Sequence, residues 1–129
     1  MKSHKDILVA IVGLGRVGSK FLASFGAKVG SIKIVAAAER DRSAPGVEVA
    51  SKLGVKVVKD TKELAMLGEK IDIIFDLSGC ADTRKVLRSE LARSGNQHTA
   101  IATETMAFLI WELMGEKEKL PDAHNKKGY

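Results

Sequence analysis

The chain has 129 residues, a 45% hydrophobic share and a formal charge of +5, with one cysteine, Cys80, and three histidines, His4, His98 and His124. This is enough for one domain with its own core, whereas no apolar run nears the roughly 18 residues of a membrane span, one cysteine excludes an intrachain disulfide, and the scattered histidines lack metal-ligand spacing. Much of the positive excess sits near the ends, in Lys2, Lys5, Lys117, Lys119, Lys126 and Lys127, with no aromatic-interleaved basic stripe, so no nucleic-acid, membrane or metal partner is expected.

After the polar start Met1–Asp6, six apolar residues, Ile7-Leu8-Val9-Ala10-Ile11-Val12, read as a strand buried on both faces of a parallel sheet. They run straight into Gly13-Leu14-Gly15-Arg16-Val17-Gly18, a G-x-G-x-x-G turn, and then into a helical pattern of Val17, Phe21, Leu22 and Phe25. A signal peptide would end at a small-residue cleavage site rather than in glycines that open a helix, so a cytoplasmic location is expected. In such a turn Gly13 permits the bend out of the strand and Gly15 lets the backbone approach a pyrophosphate. Gly18 allows close helix packing, and the helix N-terminus offers N–H groups to an anion.

Gly26 and Gly30 bracket the end of the first helix, and Ile32–Ala38 is a second strand ending in Glu39-Arg40-Asp41-Arg42. Pro45 suits the first position of a helix carrying Val47, Ala50 and Leu53, which Gly54 stops. A third strand, Val55–Val58, is followed by Asp60 and Glu63 at capping-box spacing and a short helix through Leu64 and Leu67. A fourth strand, Ile71–Leu77, leads through Ser78-Gly79-Cys80 to a helix over about Asp82–Ser94. The fifth strand is Thr99–Thr103, and the last helix runs near Thr105–Met114. Five strands alternating with helices predict an α/β fold of three αβα layers around a doubly wound parallel sheet of the Rossmann type. The domain is expected over 1–114, with a loose charged tail over 115–129.

Glu39 lies about 20 residues past the glycine loop, at the end of the second strand, where an acid accepts hydrogen bonds from an adenosine ribose. This favours NAD, while Arg40 and Arg42 leave NADP possible. The loops at the carboxyl edge of the sheet are 13–18, 39–42, 77–80 and 103–105. The expected dinucleotide-binding set is therefore Gly13, Leu14, Gly15, Arg16, Val17, Gly18, Glu39, Arg40, Ser78 and Gly79, with no catalytic residue identified. Cys80 at the same edge reads as a small filler, Glu104 as a helix-start carboxylate, and His98 as a loop residue. The last helix is too apolar to face solvent, so a homodimer is expected through it, anchored by Phe108 and Trp111.

Ile11–Gly18 (I-V-G-L-G-R-V-G), Ala38–Asp41 (A-E-R-D) and Asp72–Gly79 (D-I-I-F-D-L-S-G) resemble the N-terminal cofactor-binding domain of homoserine dehydrogenases and of the glucose–fructose oxidoreductase family. The resemblance covers roughly the first 105 residues and implies NAD(P) binding. Those families carry Asn-Lys or Glu-Lys-Pro after the fifth strand, and a second domain that supplies most substrate contacts. Here Thr103-Glu104-Thr105-Met106 lacks the lysine, and no second domain is expected. The expectation is thus a stand-alone dinucleotide-binding protein that senses or presents its cofactor. The alternative is a homoserine dehydrogenase-like enzyme whose substrate site is completed by another chain or across a dimer. Asp41–Val55, followed by D-L-S-G, also resembles Rossmann-like modules found ahead of bacterial sensory and histidine-kinase domains.

Overall fold

The computed structural model describes residues 6–115. The central strand β1 (Ile7–Val12) pairs in parallel with β3 (Ile32–Ala38) on one side and β5 (Ile73–Asp76) on the other. Beyond β5 lies β6 (Ala100–Ala102), and beyond β3 lies β4 (Lys56–Val58), both parallel. The order β4-β3-β1-β5-β6 makes the chain wind outward in both directions from β1. This is the Rossmann-type arrangement expected from the alternating pattern.

One strand was not expected. Between Gly26 and Gly30 the chain forms β2 (Lys28–Val29), which pairs antiparallel with Lys33 and Ile32 at the start of β3. Both residues are exposed and the strand is two residues long, too short to show an alternating pattern. A 3-10 turn at Gly68–Lys70 was not expected either, and the other elements fall within two residues of their expected bounds.

Alternation along β1 divides the core. Val9 and Ile11 face a cluster with Val17, Phe21 and Leu22 of α1 (Arg16–Phe25), Ala50 of α2 (Pro45–Leu53), and Ala107 and Trp111 of α5 (Glu104–Leu113). Ala10 and Val12 face the opposite cluster, with Leu64 of α3 (Thr61–Ala65) and Leu87 of α4 (Ala81–Arg93). Each fully buried Leu or Phe stabilises the fold by roughly 2 kcal/mol, so the apolar stripes hold the helices to the two faces.

Local signals explain the helix ends. Pro45 occupies the first turn of α2, and Gly54 at φ +76° ends it. Asp60 Oδ1 accepts the Glu63 amide at 2.9 Å to start α3. Around α5 the structure corrects one expectation. Trp111 is 3% exposed and stacks on Phe21, with ring centroids 6.5 Å apart, so it is a core residue and not an interface anchor. Phe108 is half-buried against the same cluster. The outward face carries Met106, Leu109 and Leu113 instead. Residues 116–129, most of the expected tail, lie outside the described residues, as do His4 and His124.

Candidate functional site

Register fixes where the loops meet. Val12 is level with Ala38 on one side and Asp76 on the other, and Ala38 is level with Val58. All four strands therefore release their chains at one edge, and β1 stands where the winding reverses, the usual place for a ligand in such a sheet.

The loop after β1 is shaped by close backbone approaches. Gly13 sits at φ +97°, and a Cβ there would come within 2.8 Å of Ser78 Cα, so only glycine fits. Its amide donates to the Ala38 carbonyl at 2.9 Å. A Cβ on Gly18 would overlap the Gly13 carbonyl oxygen, which lets the first turn of α1 fold back on the loop. Gly15, the residue capping α1, differs: a Cβ there would meet nothing within 4 Å. Its bare face borders open space beside the helix N-terminus, whose first turn carries no acidic side chain.

Glu39 is built into this loop. Its Oε1 accepts the Leu14 amide at 2.7 Å and its Oε2 accepts the Asp41 amide at 2.9 Å, tying the glycine loop to the loop after β3. Asp41 in turn accepts the Ser43 hydroxyl at 2.7 Å and the Ser43 amide at 2.9 Å, which together lower its pKa. The Gly46 amide donates to the Leu14 carbonyl at 2.8 Å, and a Cβ on Gly46 would lie 2.8 Å from that oxygen. Gly46 is thus a further glycine required by close contact.

The loop after β5 is organised by Asp76, which is 1% exposed. Its Oδ1 accepts the Ser78 hydroxyl at 2.7 Å and the Ser78 amide at 3.2 Å, and the Ser78 oxygen accepts the Cys80 amide at 3.2 Å. Arg84 Nε lies 3.4 Å from Asp76 Oδ2, an ion pair without hydrogen-bond geometry. Cys80 is exposed at the start of α4. The Thr83 amide, then the Thr83 hydroxyl and the Asp82 amide, lower its thiol pKa from the ordinary value.

These loops enclose a cavity of about 460 Å³. Seven of the expected residues line it: Gly13, Gly15, Arg16 and Val17 from the first loop, Glu39 and Arg40 from the second, and Ser78 from the third. Leu14, Gly18 and Gly79 do not line it. Leu14 and Gly18 are buried in the packing, and Gly79, at φ +71°, turns the chain toward α4. The expected contribution of Thr103–Thr105 is also absent from the lining; the Thr103 carbonyl accepts the Met106 and Ala107 amides, and Glu104 is 8% exposed. Lys59, Asp60 and Thr61 line the cavity without having been singled out. The signal was in the topology: β4 is parallel to β3, so its following loop had to emerge at the same edge. His98 lies at the opposite edge, 2.6 Å from Asp72 Oδ1.

No protein-family model matches the chain, and neither does any curated protein sequence. Solved structures do match in fold. Apo scyllo-inositol dehydrogenase from Lactobacillus casei is 21% identical with a TM-score of 0.51, over 81% of this chain and 38% of that one. Glucose dehydrogenase from Haloferax mediterranei, in complex with NADP, zinc and gluconolactone, is 13% identical with a TM-score of 0.52, over 79% of this chain and 37% of that one. The chain is Rossmann-like, and it spans under two-fifths of the length of these dehydrogenases. Among the described residues no helix is long and apolar enough to cross a membrane, and no group of three or more His, Cys, Asp or Glu is placed to hold a metal ion.

Proposed function

We propose that this domain binds a nicotinamide dinucleotide, NAD(P), at the Gly13–Gly18 loop and acts as a cofactor-sensing or cofactor-presenting protein. The observation that carries this reading is the bare corner at Gly15. It combines main chain without a side chain, a helix N-terminus and the reversal point of the sheet, which together suit a diphosphate. Gly13 and Gly15 would lie against that group with Arg16 beside it. Glu39 would face the adenosine ribose, its carboxylate shaping the loop and still offering lone pairs to a ribose hydroxyl. Ser78, held by Asp76, would meet the nicotinamide half. The structural likeness to a glucose dehydrogenase whose complex contains NADP supports the same ligand class.

Calorimetry with NAD, NADH, NADP and NADPH tests the proposal, using the Gly15→Val variant as control. Binding by the native chain and a loss of at least about tenfold in the variant support it; unchanged affinity in the variant removes the loop from the site.

A second reading, a dehydrogenase whose substrate site is completed by another chain or across a dimer, draws support from the fold match to dehydrogenases more than twice as long, and its homoserine dehydrogenase kind rests on the sequence resemblance alone. Absorbance at the reduced-nicotinamide band over a panel of hydroxy and amino acids separates the two. Turnover by the chain alone would replace the sensing role. We further propose a homodimer through α5. Its exposed Met106, Leu109 and Leu113 are spaced i, i+3 and i+7 on one helix face. Light scattering of the native chain against a Leu109→Glu, Leu113→Glu variant tests this, and a monomer at all concentrations would refute it.

A further inference from the structure

Past the ribose end of the cavity the groove opens into a second recess of about 780 Å³, which shares Arg40, Lys59, Asp60 and Thr61, among others, with the first and adds Lys62 and Asp82. Its charges are arranged asymmetrically. Asp60, which lines the recess, takes the Glu63 amide, and Glu39, in the adjoining cavity, takes the Leu14 and Asp41 amides. Asp82, on the far wall, stands in the first turn of α4. The cations are left over. Arg40, Lys59 and Lys62 are exposed, line the recess and form no ion pair among the described residues.

Unmatched cations beside carboxylates that main-chain donors already occupy make a site for an added anion rather than for a neutral ribose alone. Glu39, the acid that on sequence grounds favours a free 2′-hydroxyl, is here a positioning residue for the loop, with both carboxylate oxygens already accepting main-chain amides. We infer that Arg40 and Lys59, with Lys62 behind them, receive a phosphate monoester on the adenosine ribose, so that the chain selects NADP(H) over NAD(H). This rests on the reading of the Gly13–Gly18 groove as the dinucleotide site.

Calorimetry on the full chain with NADP, NAD, adenosine 2′,5′-bisphosphate, ADP and inorganic phosphate decides the matter. The expected result is NADP bound at least about tenfold more tightly than NAD, the size of one charge-assisted contact. The bisphosphate should exceed ADP by a similar factor, and inorganic phosphate should bind far more weakly than either. In Arg40→Ala and Lys59→Ala the ratio between NADP and NAD should fall toward unity; both side chains are exposed, and circular dichroism confirms that the variants fold. NAD bound as tightly as NADP, or a ratio untouched by both substitutions, overturns the inference and leaves the dinucleotide site standing. Phosphate binding equal to that of the bisphosphate overturns it in favour of a free-anion site. Failure of every nucleotide overturns both readings.

Discussion

The loop after β1 and the loop after β5 touch at Gly13 and Ser78, yet they are held by different means. The glycine loop is fixed from outside: the Ala38 carbonyl takes the Gly13 amide, Glu39 takes the Leu14 amide, and Gly46 grips the Leu14 carbonyl. Its own side chains do no tethering at Gly13, Gly15 or Gly18, where there are none, and the corner at Gly15 is left bare. The loop after β5 is fixed from within, by the Asp76 carboxylate on two Ser78 donors and the Ser78 oxygen on Cys80. One loop is tied by groups that other segments supply and leaves only its Gly15 corner bare, while the other uses its polar groups on itself. The self-contained loop thus serves as a firm wall against which the open one is shaped.

Substitutions can break this contrast, and the largest effect is expected at Gly18. Valine there would drive its Cβ into the Gly13 carbonyl, a main-chain group that cannot swing aside. A loss of about 3 kcal/mol or more is expected by denaturant unfolding. Asp76→Ala should follow closely, at about 3 kcal/mol, because it strands the two Ser78 donors and leaves Arg84 without its buried partner. A much smaller change would mean that the second loop does not depend on its carboxylate.

Gly15→Val sharpens the comparison from the other side. With no atom within 4 Å of the new Cβ, stability should change by about 1 kcal/mol or less while nucleotide affinity falls. Equal losses at Gly15 and Gly18 would erase the distinction between a packed glycine and an exposed one. Glu39→Gln keeps one acceptor but sets an amide against the Asp41 N–H, or against Leu14 if flipped. A loss of about 1 kcal/mol is expected, with both NAD and NADP weakened together. The smallest effect concerns Cys80. Its lowered pKa places the thiolate at lower pH, so the iodoacetamide reaction should reach half its maximal rate at a lower pH than for a cysteine in a short unstructured peptide. Thr83→Val, which removes the hydroxyl, should move that midpoint upward.

The strand-loop-helix at Ile7–Phe25, the winding order and the capping of α2 and α3 were legible because each has a local signature in residue type and spacing. Other features depend on partners distant in sequence. Gly46 has no local signature beyond following Pro45 at a helix start, and only the folded chain shows it pressed on Leu14. Glu39 was recognisable as an acid at a strand end, but its bonds to Leu14 and Asp41 were not. The last helix was apolar on every side, so its periodicity did not say which face turns inward. In the fold Ala107 and Trp111, four residues apart on one face, are the buried pair.

Trp111 is the chain's lone tryptophan, enclosed against Phe21 and outside the lining of the groove. The molecule therefore carries a built-in optical reporter: its indole emission should be blue-shifted while α1 and α5 stay docked on the sheet and should move to the red when they part. Because the fluorophore does not line the cavity, this colour change reads the integrity of the scaffold separately from its occupancy, for every loop variant named above.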